Sequence, residues 1–140
     1  DIEICVAIGP TNGQRQQIEE TVKSIPRARV IAQVDYITEL ASSSLAILAA
    51  GSSLWEAAAL GVPSIGLIVA DNQSGAAQAF LNKGLLDVID CREGVQFEQI
   101  TESVVVNLTH AQKNLEHLAG IGQGVENIIR DLQLFGKPRF

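Results

Sequence analysis

The sequence predicts an α/β fold, a doubly wound parallel sheet with closing C-terminal helices. Short apolar runs typical of strands alternate with helix-like stretches along the chain, which is the pattern of a parallel sheet wrapped by helices. The 140 residues, 46% of them hydrophobic, are enough for one domain with a core of its own. The five predicted strands are Glu3 to Ile8, Arg29 to Val34, Leu45 to Ala49, Ser64 to Val69 and Leu86 to Ile89.

The first predicted helix, Gln14 to Ile25, lies between the first two strands. Its apolar residues recur at helical spacing on one face, which indicates an amphipathic helix packed on a sheet. Asn12 or Thr11 is expected to cap its start, because a side-chain oxygen at that position accepts from a free helix amide. Pro26 is expected to end it.

The second predicted helix, Ser53 to Leu60, has strong signals at both ends. Ser53 and Glu56 have capping-box spacing, and Gly61-Val62-Pro63 combines the glycine and the proline typical of a helix end. A further helix is predicted from Ser74 to Lys83, and three closing helices from Phe97 onward.

Composition excludes several classes of function. Ten Lys and Arg residues against sixteen Asp and Glu give a net charge of -6, and the basic residues are scattered. Since a nucleic-acid binder needs a dense cationic face, no nucleic acid is expected as a partner. The longest apolar run, near Pro63 to Ala70, is too short to cross a bilayer, so no membrane span is expected. Cys5 and Cys91 are interpreted as reduced, buried thiols of a cytoplasmic protein, with no metal and no cofactor.

The loop Ala50-Gly51-Ser52-Ser53 joins a predicted strand to a predicted helix. In such sheets, ligands bind beyond the carboxyl ends of the strands. Gly51 lets a ligand approach the backbone, the free amides and dipole of the helix favour a phosphate, and Ser52 and Ser53 add hydroxyl donors. On these residues alone, a phosphate site and a simple helix cap at Ser53 are equally supported.

Glu56 lies one turn into the same helix. Its carboxylate is therefore expected near the strand ends, where it would accept hydrogen bonds from a ribose diol. The alternative is a capping box, in which Glu56 bonds back to the Ser53 amide. Both interpretations stay open. Trp55 is expected to pack on the core rather than to serve as a stacking platform, because its neighbours are Leu and Ala.

Two more loops follow predicted strands. Asp71-Asn72-Gln73 is explained by an ordinary helix cap, but three adjacent hydrogen-bonding side chains at a strand end would also hold the hydroxyl or acylamino groups of a sugar. The loop from Gly9 to Gly13 is rich in glycine and precedes a helix, but it lacks the Lys of a P-loop and the full dinucleotide glycine pattern.

The segment from Ser44 to Ile65, with Gly51-Ser52-Ser53 at its centre, followed by Ala70-Asp71-Asn72-Gln73, resembles a known family. It is similar to the C-terminal domain of the UDP-sugar hydrolases of pseudaminic acid biosynthesis and of the related spore coat polysaccharide biosynthesis proteins. These proteins belong to the GT-B group of glycosyltransferase-like enzymes. The resemblance implies a Rossmann-like GT-B C-terminal domain that binds UDP or a UDP-sugar.

The resemblance also implies residue roles. Gly51, Ser52 and Ser53 would contact the diphosphate, and Glu56 would hold the ribose. The family's first loop usually has a Gly-Gly-Ser/Ala-Asp sequence, from which this chain departs; Gly9 is its remaining phosphate candidate. The sugar-facing residues implied are Asp71, Asn72 and Gln73. The base-binding residues implied are Val34 and Ile37.

In that family, the N-terminal domain carries the main catalytic group. Asn72 is accordingly the one catalytic candidate here. Residues 1–140 are expected to be a single nucleotide-sugar-binding domain cut from a longer two-domain protein, since the chain opens directly into a strand without Met. The implied reaction is hydrolysis of a UDP-linked amino sugar to UDP and free sugar, completed by an N-terminal domain or partner chain. The alternatives are a donor-binding domain of a UDP-sugar-dependent glycosyltransferase and a non-catalytic α/β binding module.

Overall fold

The computed structural model describes residues 2–31, 35–82 and 87–109. Strands and helices alternate along these residues, and every strand pair is parallel, so the predicted α/β class is confirmed. The chain divides into two compact units, Asp1–Ser43 and Ser44–Phe140, each with its own small parallel sheet. A single doubly wound sheet running through the whole chain stays a prediction.

The first unit contains two strands and two helices: β1 (Ile4–Ala7), α1 (Arg15–Lys23), β2 (Ala28–Ile31) and α2 (Tyr36–Ser42). β1 pairs with β2 in register from Ile4 opposite Ala28 to Ala7 opposite Ile31. The helix predicted from Gln14 is two residues shorter at its C-terminal end, where Ser24 follows α1. Helix α2 was not predicted, because seven residues give too little periodicity to stand out.

The second unit contains a three-stranded parallel sheet in the order β3-β4-β5. Strand β3 pairs with β4 from Ala46 opposite Ser64, and β4 pairs with β5 from Ile65 opposite Asp87. Its elements are β3 (Ala46–Ala49), α3 (Ser52–Ala59), β4 (Ser64–Ile68), a 3-10 turn (Asp71–Gln73), α4 (Ser74–Asn82), β5 (Asp87–Asp90) and α5 (Phe97–Thr109).

Helices cover both faces of this sheet. Helices α3 and α4 share one core with the sheet, and Val88 of β5 packs against it. Asp87, the residue before Val88, points to the opposite face, where its carboxylate accepts hydrogen bonds of 2.6 Å each from Ser103 Oγ and Asn107 Nδ2 of α5. The core residues are Ala50, Leu54, Ala58, Ile68, Ala77 and Phe80.

Gly66 allows α3 to lie close to β4. A Cβ built on Gly66 would stand 2.9 Å from Leu54 Cδ1, well inside normal contact. Leu54 is fully buried, so the absence of a side chain at Gly66 fixes how near α3 approaches the sheet.

The C-terminal end of α3 matches the prediction. Gly61 has a φ of 72°, the left-handed conformation that glycine adopts without strain. Its amide donates to Ala58 O (3.1 Å) and the Val62 amide donates to Ala57 O (2.9 Å), which together form a Schellman motif. Pro63 follows, and β4 begins at the next residue.

Several predictions fall outside the described residues. The last residues of the second strand, the start of the fifth strand, the end of the Ser74 helix and the two final closing helices are among them. The first closing helix is α5, which begins at Phe97 as predicted.

Candidate functional site

Three connections leave the sheet of the second unit at one edge. The Ala50 amide donates to Leu67 O (2.8 Å) and the Cys91 amide donates to Ile68 O (2.8 Å), so the exits of β3 and β5 are both tied to the end of β4. Carboxyl ends of parallel strands meet at the same edge, which is where ligands bind in open α/β sheets. Most of the predicted site residues lie on these connections.

The turn at Gly51 leads directly into α3. The Gly51 amide donates back to Ala49 O (2.7 Å), and the Leu54 amide donates to Gly51 O (3.2 Å). Among the residues that the structure describes, the amides of Ser52 and Ser53 have no acceptor. A Cβ built on Gly51 would meet no atom within 4 Å, so there is free space beside this turn.

Of the two interpretations left open for Glu56, the capping box with Ser53 is not formed in the structure. Helix α3 begins at Ser52, one residue earlier than predicted, with Gly51 as its N-cap and no side-chain cap. Ser53 is thereby placed inside the first turn, where its side chain is not in the N-cap position. The helix start is consequently left uncapped by any side chain, and the Glu56 carboxylate is not committed to the Ser53 amide.

The exposed side of α3 carries Trp55 and Glu56. Glu56 is exposed, one turn from the helix start. Trp55 packs one side of its ring against Phe80 of α4, with the centroids 4.4 Å apart and the planes tilted by 50°. It nevertheless stays 43% exposed, so the expected core packing accounts for part of its surface only.

The connection after β4 forms the 3-10 turn Asp71–Gln73. The Val69 amide donates to Gln73 Oε1 (2.8 Å), which gives the Gln73 side chain a local structural role. Asn72 is exposed, and its side chain makes no hydrogen bond with the residues that the structure describes.

Arg92, which belongs to no motif recognisable in the sequence, joins two of the three connections. Its Nη1 donates to Asp71 Oδ1 (2.8 Å). Its Nη2 and Nε donate to the two carboxylate oxygens of Asp90, at 2.5 Å to Oδ2 and 3.0 Å to Oδ1. These side-chain hydrogen bonds, with one from the Arg92 amide, lower the pKa of Asp90 from 3.8 to about 2. The hydrogen bonds that Arg92 donates to Asp90 and, to a smaller extent, to Asp71 raise the pKa of Arg92 above its ordinary value.

The remaining predicted site residues belong to the first unit. Gly9 is exposed after β1, and an added Cβ there would meet nothing within 4 Å. Its carbonyl accepts from the Asn12 amide (3.2 Å), and Asn12 Oδ1 accepts from the Gln14 amide (2.8 Å) just before α1. Ile37 lies exposed in the first turn of α2. Val34 lies outside the described residues.

A charged cluster surrounds Cys5 in the first unit. Arg29 Nη2 donates to Glu39 Oε2 (2.7 Å), and Cys5 Sγ donates to the same oxygen (3.7 Å). Partial desolvation raises the pKa of Cys5. The positive charge of Arg29 lowers it, and the carboxylates of Glu39 and Glu3 raise it further, so the net effect is an increase. The thiol is therefore protonated at neutral pH and is not an activated nucleophile. Cys5 is exposed rather than buried as predicted, while Cys91 is half-buried.

No cluster of His, Cys, Asp and Glu suited to a metal occurs within residues 2–31, 35–82 and 87–109. No helix in these ranges is long and apolar enough to cross a bilayer. Comparison with protein-family models, with curated proteins and with solved structures found no match.

Proposed function

We propose that this chain is the nucleotide-sugar-binding part of a GT-B-type enzyme that hydrolyses a UDP-linked amino sugar. The observation that carries the proposal is the uncapped start of α3, where the Ser52 and Ser53 amides lack an acceptor among the described residues and free space lies beside Gly51. It rests further on the resemblance of the segment from Ser44 to Gln73 to that group of enzymes.

The start of α3 has the chemistry that a diphosphate requires. Free amides at a helix N-terminus point along the axis toward the ligand, and the helix dipole places partial positive charge there. The hydroxyl groups of Ser52 and Ser53 are further donors. In hydrolysis, negative charge grows on the departing diphosphate, so these donors would stabilise the transition state more than the bound substrate.

Glu56 is suited to the ribose. Its carboxylate is exposed, lies one turn from the helix start and is free of the capping box. A carboxylate accepts two hydrogen bonds from a vicinal diol, one at each oxygen. We propose that the β- and α-phosphates lie at Ser52 and Ser53 and that the ribose lies beside Glu56.

In this proposal the sugar lies toward Asn72, and the group that activates water lies on an N-terminal domain or a partner chain. The isolated chain should then bind UDP and turn over nothing. Assay of the protein that contains both parts, with a UDP-sugar and no acceptor, separates hydrolysis from glycosyl transfer, because only a hydrolase releases free sugar at a useful rate.

Three variants test the binding site by calorimetric titration with UDP. Glu56→Ala removes hydrogen bonds to a charged group and should weaken binding about tenfold or more. Glu102→Ala is the matched control, since Glu102 is also an exposed helical glutamate of the second unit. Equal affinity of both variants for UDP would exclude the ribose role.

The third variant, Gly51→Asp, separates binding from stability. The backbone at Gly51 has a φ of -116° and a ψ of -147°, and aspartate is a preferred N-cap. The variant should therefore fold with unchanged or slightly increased stability. It should lose UDP binding, because the new carboxylate would occupy the amides and repel the diphosphate. A Gly51→Asp variant that binds UDP like the wild type would exclude α3 as the phosphate site.

A further inference from the structure

Arg92 connects the loop after β5 to the loop after β4. One nitrogen of its guanidinium contacts Asp71 at 2.8 Å, and two others contact Asp90 at 2.5 and 3.0 Å. A planar guanidinium that binds one carboxylate in a bidentate manner has a fixed orientation, so its third nitrogen has a defined position. Asp71 is held at that position, although its side chain is 93% exposed.

The other end of the same turn is also held. Gln73 Oε1 accepts from the Val69 amide at 2.8 Å, which closes the turn on the end of β4. Asn72 lies between these two fixed residues, exposed and without a hydrogen bond from its side chain to the described residues. Asn72 therefore differs from Asp71 and Gln73, each of which has one oxygen engaged within the described residues, in that its whole amide is available to a ligand.

Within the described part of the second unit, no other cation could take over the contacts of Arg92. Arg92 is the only Lys or Arg among residues 44–82 and 87–109. Exposed ion pairs contribute little to the stability of a fold, because solvent screens them. The pair therefore restricts the turn by no more than its own small free energy, and it does not determine whether the unit folds.

We propose that Arg92 is a positioning residue, which holds the turn Asp71–Gln73 so that Asn72 is preorganised to hydrogen-bond the sugar of a nucleotide sugar. The inference rests on the proposed function and extends it, since it assigns discrimination between a nucleotide sugar and the free nucleotide to a residue that contacts neither. A preorganised Asn72 amide binds the sugar more tightly, because the conformational entropy of the turn is already lost before the ligand binds.

The test compares two ligands, UDP and UDP-N-acetylglucosamine, by calorimetric titration of the chain and its variants. Arg92→Ala should weaken binding of UDP-N-acetylglucosamine by roughly two- to fivefold, the most that an exposed ion pair supplies by restricting the turn, and leave the affinity for UDP unchanged. Asp71→Ala removes the other end of the bridge and should have the same effect. Arg15→Ala, which breaks an exposed ion pair of 2.7 Å with Glu19 in the first unit, is the matched control.

A double variant shows whether Arg92 acts through Asn72. If it does, Arg92→Ala combined with Asn72→Ala binds UDP-N-acetylglucosamine no more weakly than Asn72→Ala alone. The inference would be overturned by additive losses of affinity in the double variant, by an equal loss of affinity for both ligands in Arg92→Ala, or by no loss in Arg92→Ala. In each of these cases, UDP binding by the wild type would still support the proposed function. Failure of the wild-type chain to bind either ligand would overturn both.

Discussion

Substitution of Gly66 by alanine tests how closely α3 must approach the sheet. The added Cβ would lie 2.9 Å from Leu54 Cδ1, 3.5 Å from Leu54 Cδ2 and 3.7 Å from Val88 Cγ2. Carbon atoms at optimal separation are about 3.5 to 4.0 Å apart, so Leu54 would have to retreat by roughly half an ångström or more. A flexible side chain at a surface would do so at little cost.

Leu54 lacks that freedom, because it is fully buried in the core formed with Ala58, Ile68 and Phe80. Adding one methyl group to a well-packed core forces strained rotamers or a backbone shift, at a typical cost of 1 to 3 kcal/mol. Because the clash involves one methyl group of a leucine and not backbone, we expect a loss of stability in the lower half of this range, about 1 to 2 kcal/mol.

Urea unfolding measures this cost. Trp55 is the only tryptophan of the chain and packs on Phe80, so its fluorescence reports on the core of the second unit. The matched control is Gly75→Ala in the first turn of α4, where an added Cβ meets nothing within 4 Å. That variant should be more stable by about 0.5 kcal/mol, since alanine restricts the unfolded chain. A Gly66→Ala protein as stable as the wild type would refute the packing argument.

Two further predictions concern single residues. Gly61→Ala should lower the free energy of unfolding in urea by about 1 kcal/mol, because Gly61 has a φ of 72° in the Schellman motif. The control is Gly13→Ala, which should leave the free energy of unfolding nearly unchanged, because Gly13 has an ordinary φ and open space around it. The Asp90 carboxyl should titrate at a pKa of about 2 in carbon-detected NMR, and nearer 3.8 in Arg92→Ala. Because this pKa is lowered on folding, the contribution of the ion pair is complete above pH 3.8 and is lost as the pH falls toward 2. An Asp90 pKa that is the same in both proteins would contradict the assigned contact.

The two ends of α3 show why one helix boundary was predictable and the other was not. The C-terminal end depends on Gly61, whose left-handed conformation few other residues adopt without strain, so the sequence determines the structure locally. The N-terminal end had two local solutions, a cap at Ser53 or an earlier start after Gly51. The structure has the earlier start, directly after Ala50, whose amide donates to Leu67 O; that contact joins residues distant in sequence, and no local motif encodes it.

The same distinction separates the predicted from the missed parts of the candidate site. Gly51, Ser52, Ser53 and Glu56 are adjacent in sequence, and their spacing relative to a strand and a helix was sufficient to place them at one end of α3. The role of Arg92 depends on Asp71, which lies 21 residues earlier. That contact follows from the parallel pairing of β4 with β5, which brings both residues to one edge of the sheet and which no local motif encodes.

In helix α3, the residues that stabilise the fold and the residues proposed to bind the ligand lie on different sides. Its buried residues, Leu54, Ala57 and Ala58, are small or fit against Gly66, so the helix lies close to the sheet and its start is held at the edge. The proposed ligand contacts come from the uncapped first turn and from Glu56 on the exposed side, which contribute little to the core. Substitutions on the buried side should therefore lower stability and displace the first turn, whereas Gly51→Asp and Glu56→Ala should change UDP affinity at constant stability. If Glu56→Ala instead lowered the free energy of unfolding by as much as Gly66→Ala, this separation would be wrong, and the uncapped turn would have to be regarded as part of the fold.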